Sequence, residues 1–222
     1  GYALMLVGFC GILWVLSDFS GENVSERVRP WLAASTLMWS GMLLGLKYYS
    51  EGQWLWRQSW TRALLGWAIL SATWLSVVFC LSLNDGSVIL FVLILVVAAA
   101  DVGAYFVGRH FGRHSLAEAI SPGKTWEGFW GGIISVVILS FLIGKNLPFS
   151  HFHLSIGTLI ALGVATAGAS VVGDLTVSLF KREGGVKDSG SILPGHGGLL
   201  DRLDSICGAA PVFALGLLLT GY

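Results

Sequence analysis

The residues from Ser178 to Asp204 carry most of the reactive chemistry in this sequence. The segment combines lysines, arginines, aspartates, a histidine and several glycines, and apolar stretches flank it on both sides. A loop that only joins two membrane helices needs no such residues. Because ionisable side chains at or within a membrane are energetically costly, a cluster of this kind indicates a functional site.

Four aspartates lie where simple solvation does not explain them. Asp101 and Asp174 sit among small residues inside apolar stretches, and Asp201 and Asp204 have the three-residue spacing that places both on one face of a helix. Carboxylates that converge at one depth repel one another unless a cation or a basic group lies between them. Mg²⁺ binds oxygen ligands, commonly one or two carboxylates plus substrate phosphates. The aspartates therefore predict a metal site, and ion pairs with nearby lysine or arginine are the alternative.

A second segment, Ser121 to Gly128, leads into an apolar stretch through a Pro-Gly turn. Either Thr125 or Ser121 can cap the helix that follows. Backbone N–H groups at such a helix start, with Lys124 beside them, form an anion site. The segment lacks the Walker A pattern, so the alternative is a capped helix start with one surface lysine.

The segment from Ser178 to Asp204 also combines basic residues with glycines. His196 lies in Pro-Gly-His-Gly-Gly, where it can donate to a phosphate or act in proton transfer. The glycines allow a ligand to approach the backbone closely. The basic residues of this segment are Lys181, Arg182, Lys187 and Arg202. Acidic side chains that can bind a metal and basic side chains that can bind phosphates indicate phosphoryl or nucleotidyl transfer. In such reactions, metal ions and cationic side chains supply much of the catalysis.

The composition is that of an integral membrane protein. Of the 222 residues, 55% are hydrophobic and 12% are charged, whereas soluble domains carry about 25% charged residues. Runs such as 88–97 are apolar on every side, which favours helices over the alternating strands of a membrane barrel. The sequence predicts an all-α, polytopic helical bundle. We expect about seven transmembrane helices, at Tyr2–Ser17, Trp31–Leu46, Ala63–Leu83, Ser87–Val107, Gly128–Gly144, Leu154–Leu175 and Ser205–Thr220.

The distribution of basic residues predicts an orientation. If all seven segments cross the bilayer, one face receives ten of the thirteen Lys and Arg residues, and the positive-inside rule makes that face cytoplasmic. The reactive residues all lie on or near this face. We therefore expect a multi-pass protein of the inner (plasma) membrane with its active site facing the cytoplasm. A net charge of zero argues against nucleic acid as a partner.

The chain is expected to fall into two parts. Residues 1–86 would hold N-terminal transmembrane helices, and residues 87–222 would form a catalytic transmembrane domain with cytoplasmic loops at 108–126 and 181–204. The first apolar stretch is short, and no initiator methionine or basic leader precedes it. We expect the sequence to begin inside a longer chain rather than after a cleaved signal peptide.

These motifs resemble those of the phosphatidate cytidylyltransferase (CDP-diacylglycerol synthase) family. Residues 178–204 match that family's pattern S-x-x-K-R-x4-K-D-x-G-x2-L-P-G-H-G-G-x2-D-R-x-D at every fixed position. The segments Asp101–Gly108, Ser121–Gly128 and Gly173–Asp174 resemble further motifs of the family. The resemblance covers roughly residues 87–220, and residues 1–86 share only its hydropathy.

The resemblance implies that CTP and phosphatidic acid react to give CDP-diacylglycerol and pyrophosphate, with Mg²⁺ as the cofactor. It is also compatible with a second cation such as K⁺ and with a homodimer. By the same resemblance, the cation ligands are Asp174 and Asp201, joined or supported by Asp101, Asp188 and Asp204. The residues assigned to catalysis are Asp174, Asp201, Lys187 and His196. The residues assigned to substrate binding are Ser121, Lys124, Thr125, Lys181, Arg182, Asp188 and Arg202.

Two departures and two alternatives accompany this interpretation. Val177 stands where relatives often carry an acid, so this position offers no carboxylate to a metal. Relatives also tend to be longer at the N-terminus, so we expect fewer helices in this sequence than in the family. One alternative keeps the chemistry but changes the acceptor, for example to an ether-lipid phosphate. The other is a transporter or channel, which would be expected to show paired broken helices in two related halves. The sequence shows no such internal symmetry.

Overall fold

A computed structural model describes residues 24–49, 58–146, 154–190 and 197–221. In this part of the chain six α-helices and one antiparallel hairpin follow one another. The elements are α1 (Val24–Lys47), α2 (Ser59–Ser82), α3 (Gly86–Phe111), β1 (Ser115–Ala117), β2 (Ser121–Thr125), α4 (Trp126–Asn146), α5 (Ile156–Glu183) and α6 (Leu200–Leu219).

Five of the described helices, α2 to α6, are long and apolar enough to cross a membrane. This confirms the predicted class, an integral membrane helical protein. The first expected span, Tyr2–Ser17, lies outside the described residues. The second, Trp31–Leu46, lies within α1, which is helical but is not among the five. Serine, threonine and tryptophan side chains lower the mean hydropathy of α1.

Helices and strands extend into both regions where the sequence suggested loops. Helix α5 continues through Lys181 and Arg182 to Glu183, and α6 begins at Leu200, so the loop expected at 181–204 is shorter. Residues 108–126 contain the end of α3 and the hairpin, in which Ser115 pairs with Thr125 and Ala117 with Ser121. The hairpin is a small strand element that the all-α prediction omitted.

Two groups of buried side chains hold the helices together. The larger group joins the helices around residues such as Phe79, Leu93, Val136 and Phe213. The smaller group includes Trp39, Ile69, Ile120, Leu175 and Cys207, and it packs the hairpin against α1, α2, α5 and α6. Burial of Ile120 thus fixes the hairpin over one end of α5. On the outer surface Leu37 is 72% exposed, as expected for a side chain that faces lipid.

Glycines let the helices that carry the candidate acids approach each other closely. A Cβ added to Gly208 of α6 would lie 2.2 Å from the carbonyl oxygen of Ala169 in α5. A Cβ added to Gly173 would lie 2.6 Å from the carbonyl oxygen of Asp204. Because Gly173 precedes Asp174, this contact brings the Asp174 and Asp204 segments side by side. Such close approach through small residues is typical of helix packing in membranes.

Candidate active site

Lys124 of the hairpin forms an ion pair with Asp174 of α5. The distance between Nζ and Oδ2 is 2.5 Å, and the side chains are 25% and 27% exposed. The second oxygen, Oδ1, accepts a hydrogen bond from the Ser178 hydroxyl one turn later, at 3.2 Å. The hairpin thus places one ammonium group directly on an aspartate that lies within a membrane-spanning helix.

Asp101 and Asp204 extend this ion pair into a group of acids. The Ser205 hydroxyl donates a hydrogen bond to Asp101, which also interacts electrostatically with Lys124 and Asp174. Asp204 interacts with Asp174 and Lys124 as well, and its Oδ1 accepts from the backbone N–H of Ser205 at 2.8 Å. Three helices and the hairpin therefore contribute to one site.

Asp201 has a different set of partners. Its Oδ1 accepts from Lys181 Nζ at 2.8 Å, and its Oδ2 accepts from the backbone N–H groups of Ser189 and Gly198, each at 2.8 Å. These bonds hold Lys181, Ser189 and Gly198 close to the first turn of α6. Gly197 has φ +81°, a conformation that favours glycine. A Cβ there would also lie 3.0 Å from Asp201 Oδ2.

The start of α4 is held by Thr125 and Glu127. Thr125 Oγ1 accepts from the backbone N–H of Gly128 at 3.1 Å, so Thr125 is the cap that the sequence suggested. Glu127 accepts from the backbone N–H groups of Arg113 and His114 and contacts His114 Nδ1 at 2.6 Å. Ser121 begins β2 and is half-buried. These bonds fix the hairpin strand that carries Lys124.

The remaining candidate residues that the structure describes are exposed. Arg182 lies in the last turn of α5, Arg202 lies in the first turn of α6, and both are exposed. Lys187 and Asp188 are exposed on the segment after α5. His196 lies outside the described residues. The structure thus joins Lys124 with Asp101, Asp174 and Asp204. Lys181 pairs with Asp201 and also interacts electrostatically with Asp204.

The donor chemistry of this group suits a hard cation. Asp101, Asp174 and Asp204, with Asp201 nearby, present the carboxylate oxygens that Mg²⁺ prefers. Such an ion commonly uses one or two carboxylates plus substrate phosphates. Within the described residues, no group of three or more His, Cys, Asp or Glu side chains is arranged to hold a metal ion. Two carboxylates completed by substrate oxygens remain compatible with that finding. Asp174 and Asp204 accept fewer hydrogen bonds than Asp201 within the described residues, so they fit a ligand role better.

Two residues that hydrogen-bond the acids receive no role in the sequence analysis. Ser178 and Ser205 hydrogen-bond the acids, and Ser178 follows Asp174 at the four-residue spacing that places two side chains on one helix face. That spacing could have identified Ser178. The donation from the Ser189 backbone to Asp201 depends on how the chain folds back and leaves no sequence signal.

A separate contact ties Tyr49, two residues after the end of α1, to the last turn of α5. The Tyr49 hydroxyl donates a hydrogen bond to Glu183 Oε1. This bond, together with burial and the negative charge of Glu183, raises the pKa of Tyr49 above its ordinary value of 10.0. Tyr49 therefore stays protonated and bonded across the neutral pH range.

Comparison with known proteins places the chain among cytidylyltransferases. A sequence model of the cytidylyltransferase family matches residues 2–220. The chain is 37% identical over 221 residues to a phosphatidate cytidylyltransferase of Pseudomonas aeruginosa, covering 100% of this chain and 78% of that protein.

Two further relatives match over shorter regions. A phosphatidate cytidylyltransferase of Haemophilus influenzae is 50% identical over 133 residues, which is 58% of this chain and 45% of that protein. One from Staphylococcus epidermidis is 43% identical over 126 residues, which is 57% of this chain and 47% of that protein. The matches thus span about half the length of these two relatives.

Proposed function

The chain belongs to the cytidylyltransferase family, and from this we propose that it transfers the cytidylyl group of CTP to phosphatidate. The products would be CDP-diacylglycerol and pyrophosphate. The names of the relatives support this activity, because several of them are phosphatidate cytidylyltransferases. The observation that carries the proposal is the contact of Lys124 with Asp174 inside a group of aspartates on membrane-spanning helices.

The position of this group suits one soluble and one membrane-bound substrate. We propose that the site faces the cytoplasm of a bacterial inner membrane, because most basic residues lie on that side of the predicted topology. CTP would enter from the water, and phosphatidate would arrive laterally from the bilayer. We further propose that two copies of the chain associate as a homodimer, a state with which the resemblance is compatible.

In the proposed reaction an oxygen of the lipid phosphate attacks the α-phosphorus of CTP. A new P–O bond forms to the lipid phosphate, and the bond between the α-phosphorus and the bridging oxygen of the β-phosphate breaks. Pyrophosphate leaves with that electron pair. The lipid phosphate is already ionised near neutral pH, so the attack needs no group to remove a proton.

The lysines of the site would stabilise the negative charge of the substrate phosphates during this reaction. Lys124 and Lys181 each contact one carboxylate and lie at the ends of the elements that frame the group. When phosphates enter, each ammonium group can turn from its carboxylate to phosphate oxygens. Arg182, Lys187 and Arg202 would provide further positive charge at the entrance. Preorganised charge of this kind is often the largest contribution to catalysis.

We propose Mg²⁺ as the cofactor, held by Asp174 and Asp204 with help from Asp101. When bound, the ion would polarise phosphoryl oxygens and neutralise the leaving pyrophosphate. Asp201 would hold Ser189 and Gly198 close to the first turn of α6, and it would join the ligands where Lys181 moves to a phosphate. A second cation such as K⁺ is part of the same proposal.

The test uses the purified chain in detergent micelles that contain phosphatidate. CTP labelled at the α-phosphate is supplied with Mg²⁺ or with EDTA, and lipid-bound label is measured. The proposal predicts lipid-bound CMP label that requires both Mg²⁺ and phosphatidate, and little label from ATP or GTP. Label that forms equally well from all nucleotides, or none from CTP in folded protein, would contradict it. Label only with an ether-lipid phosphate would keep the reaction class and change the acceptor.

A further inference from the structure

A large apolar groove lies beside the candidate site, between α1, the hairpin, α4 and α5. Its volume is about 770 Å³, which falls in the range of roughly 300–1,000 Å³ typical of small-molecule sites. Leu43, Trp126, Phe129 and Leu175 are among the apolar side chains that line it. Leu43 and Trp126 are 52% and 48% exposed, so the groove opens to the outside of the helix group.

The floor of the groove is a glycine with empty space in front of it. A Cβ added to Gly168 would meet no atom within 4 Å. Gly168 lies on α5 six residues before Asp174, which at 1.5 Å per residue is about 9 Å along the helix axis. The groove therefore extends from the level of the acids into the apolar part of a membrane-spanning helix.

The rim of the groove carries the groups that a lipid phosphate would meet. Lys47 ends α1 at this rim, and Tyr49 beside it is bonded to Glu183. The hairpin that covers the groove also carries Lys124, which contacts Asp174. Lysines at the rim and apolar walls inside the groove fit an anionic lipid. The lipid phosphate would lie at the lysines, and the acyl chain would lie in the groove.

We propose that this groove binds an acyl chain of the phosphatidate substrate and thereby aligns the lipid phosphate with the site. The inference rests on the proposed function and goes beyond it by assigning the lipid chain to a particular surface. Burial of methylene groups in the groove supplies affinity in proportion to chain length. Short-chain phosphatidate, which ends before the level of Gly168, gains little from it.

The test fills the floor of the groove and compares two lipids. Gly168→Leu projects into the groove, and Gly41→Leu is the matched control, because Gly41 on α1 also has no atom within 4 Å of an added Cβ and does not line the groove. We expect Gly168→Leu to raise the KM for dioleoyl phosphatidate by about tenfold. A tenfold loss of affinity corresponds to the burial of roughly two methylene groups. The KM for CTP and for dihexanoyl phosphatidate, and all constants of Gly41→Leu, should stay near wild type. Equal effects on both lipids, or equal effects of both variants, would overturn the inference.

A second measurement separates the groove from the reaction. Phosphatidate with a diazirine at the end of one acyl chain is photo-crosslinked to the full chain, and the labelled peptides are mapped. We expect label on the groove-lining parts of α4 and α5, reduced by Gly168→Leu and unchanged by Gly41→Leu. Labelling that Gly168→Leu leaves unchanged would reject the groove. Labelling of this expected pattern in a protein that makes no CDP-diacylglycerol would support the groove and reject the proposed reaction.

Discussion

Lys124 and Asp174 form a direct ion pair, with 2.5 Å between Nζ and Oδ2, although they belong to a short hairpin and to a membrane-spanning helix. The hairpin is held in place by Ile120 in the smaller core and by Glu127 at the start of α4. The contact therefore couples the position of the hairpin to the acids of the site.

Replacing Lys124 should lower activity without unfolding the protein. Lys124→Ala removes the one hairpin ammonium group that contacts Asp174, and we expect kcat/KM for CTP to fall by about 100-fold. Lys124→Arg should recover only part of this loss, because the planar guanidinium does not replace a point charge. Lys145→Ala at the opposite end of α4 is the control, and its kinetics should match wild type. Equal kinetics for the Lys124 and Lys145 variants would contradict the assignment.

Lys181 and Asp201 should be energetically coupled. Their side chains are only 17% and 11% exposed, so the pair is poorly screened by solvent. In a double-mutant cycle with Lys181→Met and Asp201→Asn, we expect a coupling of about 1–3 kcal/mol in the free energy of unfolding in detergent. Asparagine keeps an oxygen for the Ser189 and Gly198 N–H groups, so the cycle reports the ion pair. Additivity within about 0.5 kcal/mol would show that the pair adds no stability.

Gly208 should tolerate no side chain at the contact of α5 and α6. In Gly208→Ala the new methyl would lie 2.2 Å from the carbonyl oxygen of Ala169, so the helices must separate. We expect a loss of about 1–3 kcal/mol of stability, typical of overpacking, with reduced activity because Asp174 and Asp204 move apart. Gly41→Ala, with open space around it, should instead gain up to about 1 kcal/mol. Thermal unfolding of both variants measures the difference, and a Gly208→Ala protein as stable as wild type would argue against this packing.

The hydrogen bond between Tyr49 and Glu183 should stabilise the fold at neutral pH and be lost at alkaline pH. Its pKa in the folded chain is raised above the ordinary value of 10.0 by the bond to Glu183. A raised folded pKa gives stability that is complete below pH 10 and disappears as the pH rises through the folded pKa. Tyr49→Phe should therefore be less stable than wild type at pH 8, and the difference should shrink above pH 10. Unfolding temperatures measured across this interval test the prediction, and a constant difference would contradict it.

The sequence predicted the residues of the site better than their pairing. Asp174, Lys124 and Lys181 were all expected in the site from their types and surroundings. Which lysine meets which aspartate depends on the hairpin, and the Pro-Gly step in Ser121–Thr125 suggested a turn rather than a strand. The packing of Ile120 against the helices and the bonds of Glu127 hold the strand pair in place, and both are tertiary contacts.

The point at which α5 ends is a second feature that the sequence did not predict. Lys181, Arg182 and Glu183 were interpreted as the start of a loop because they follow an apolar stretch. Lysine, arginine and glutamate favour helices, and basic residues in a last turn interact well with the helix dipole. The helix therefore continues beyond the apolar span, and this extension carries Lys181 to Asp201.

The most direct test of the central claim compares Asp174→Asn with Asp85→Asn. Asp85 lies at the start of α3 with φ 58°, which asparagine also adopts, so both variants make the same chemical change and only one touches the site. CDP-diacylglycerol formed from CTP and phosphatidate with Mg²⁺ is measured in folded samples of each. We predict that Asp174→Asn loses at least about 100-fold of the wild-type rate while Asp85→Asn keeps it. A full rate in Asp174→Asn would show that the acids around Lys124 are not the active site.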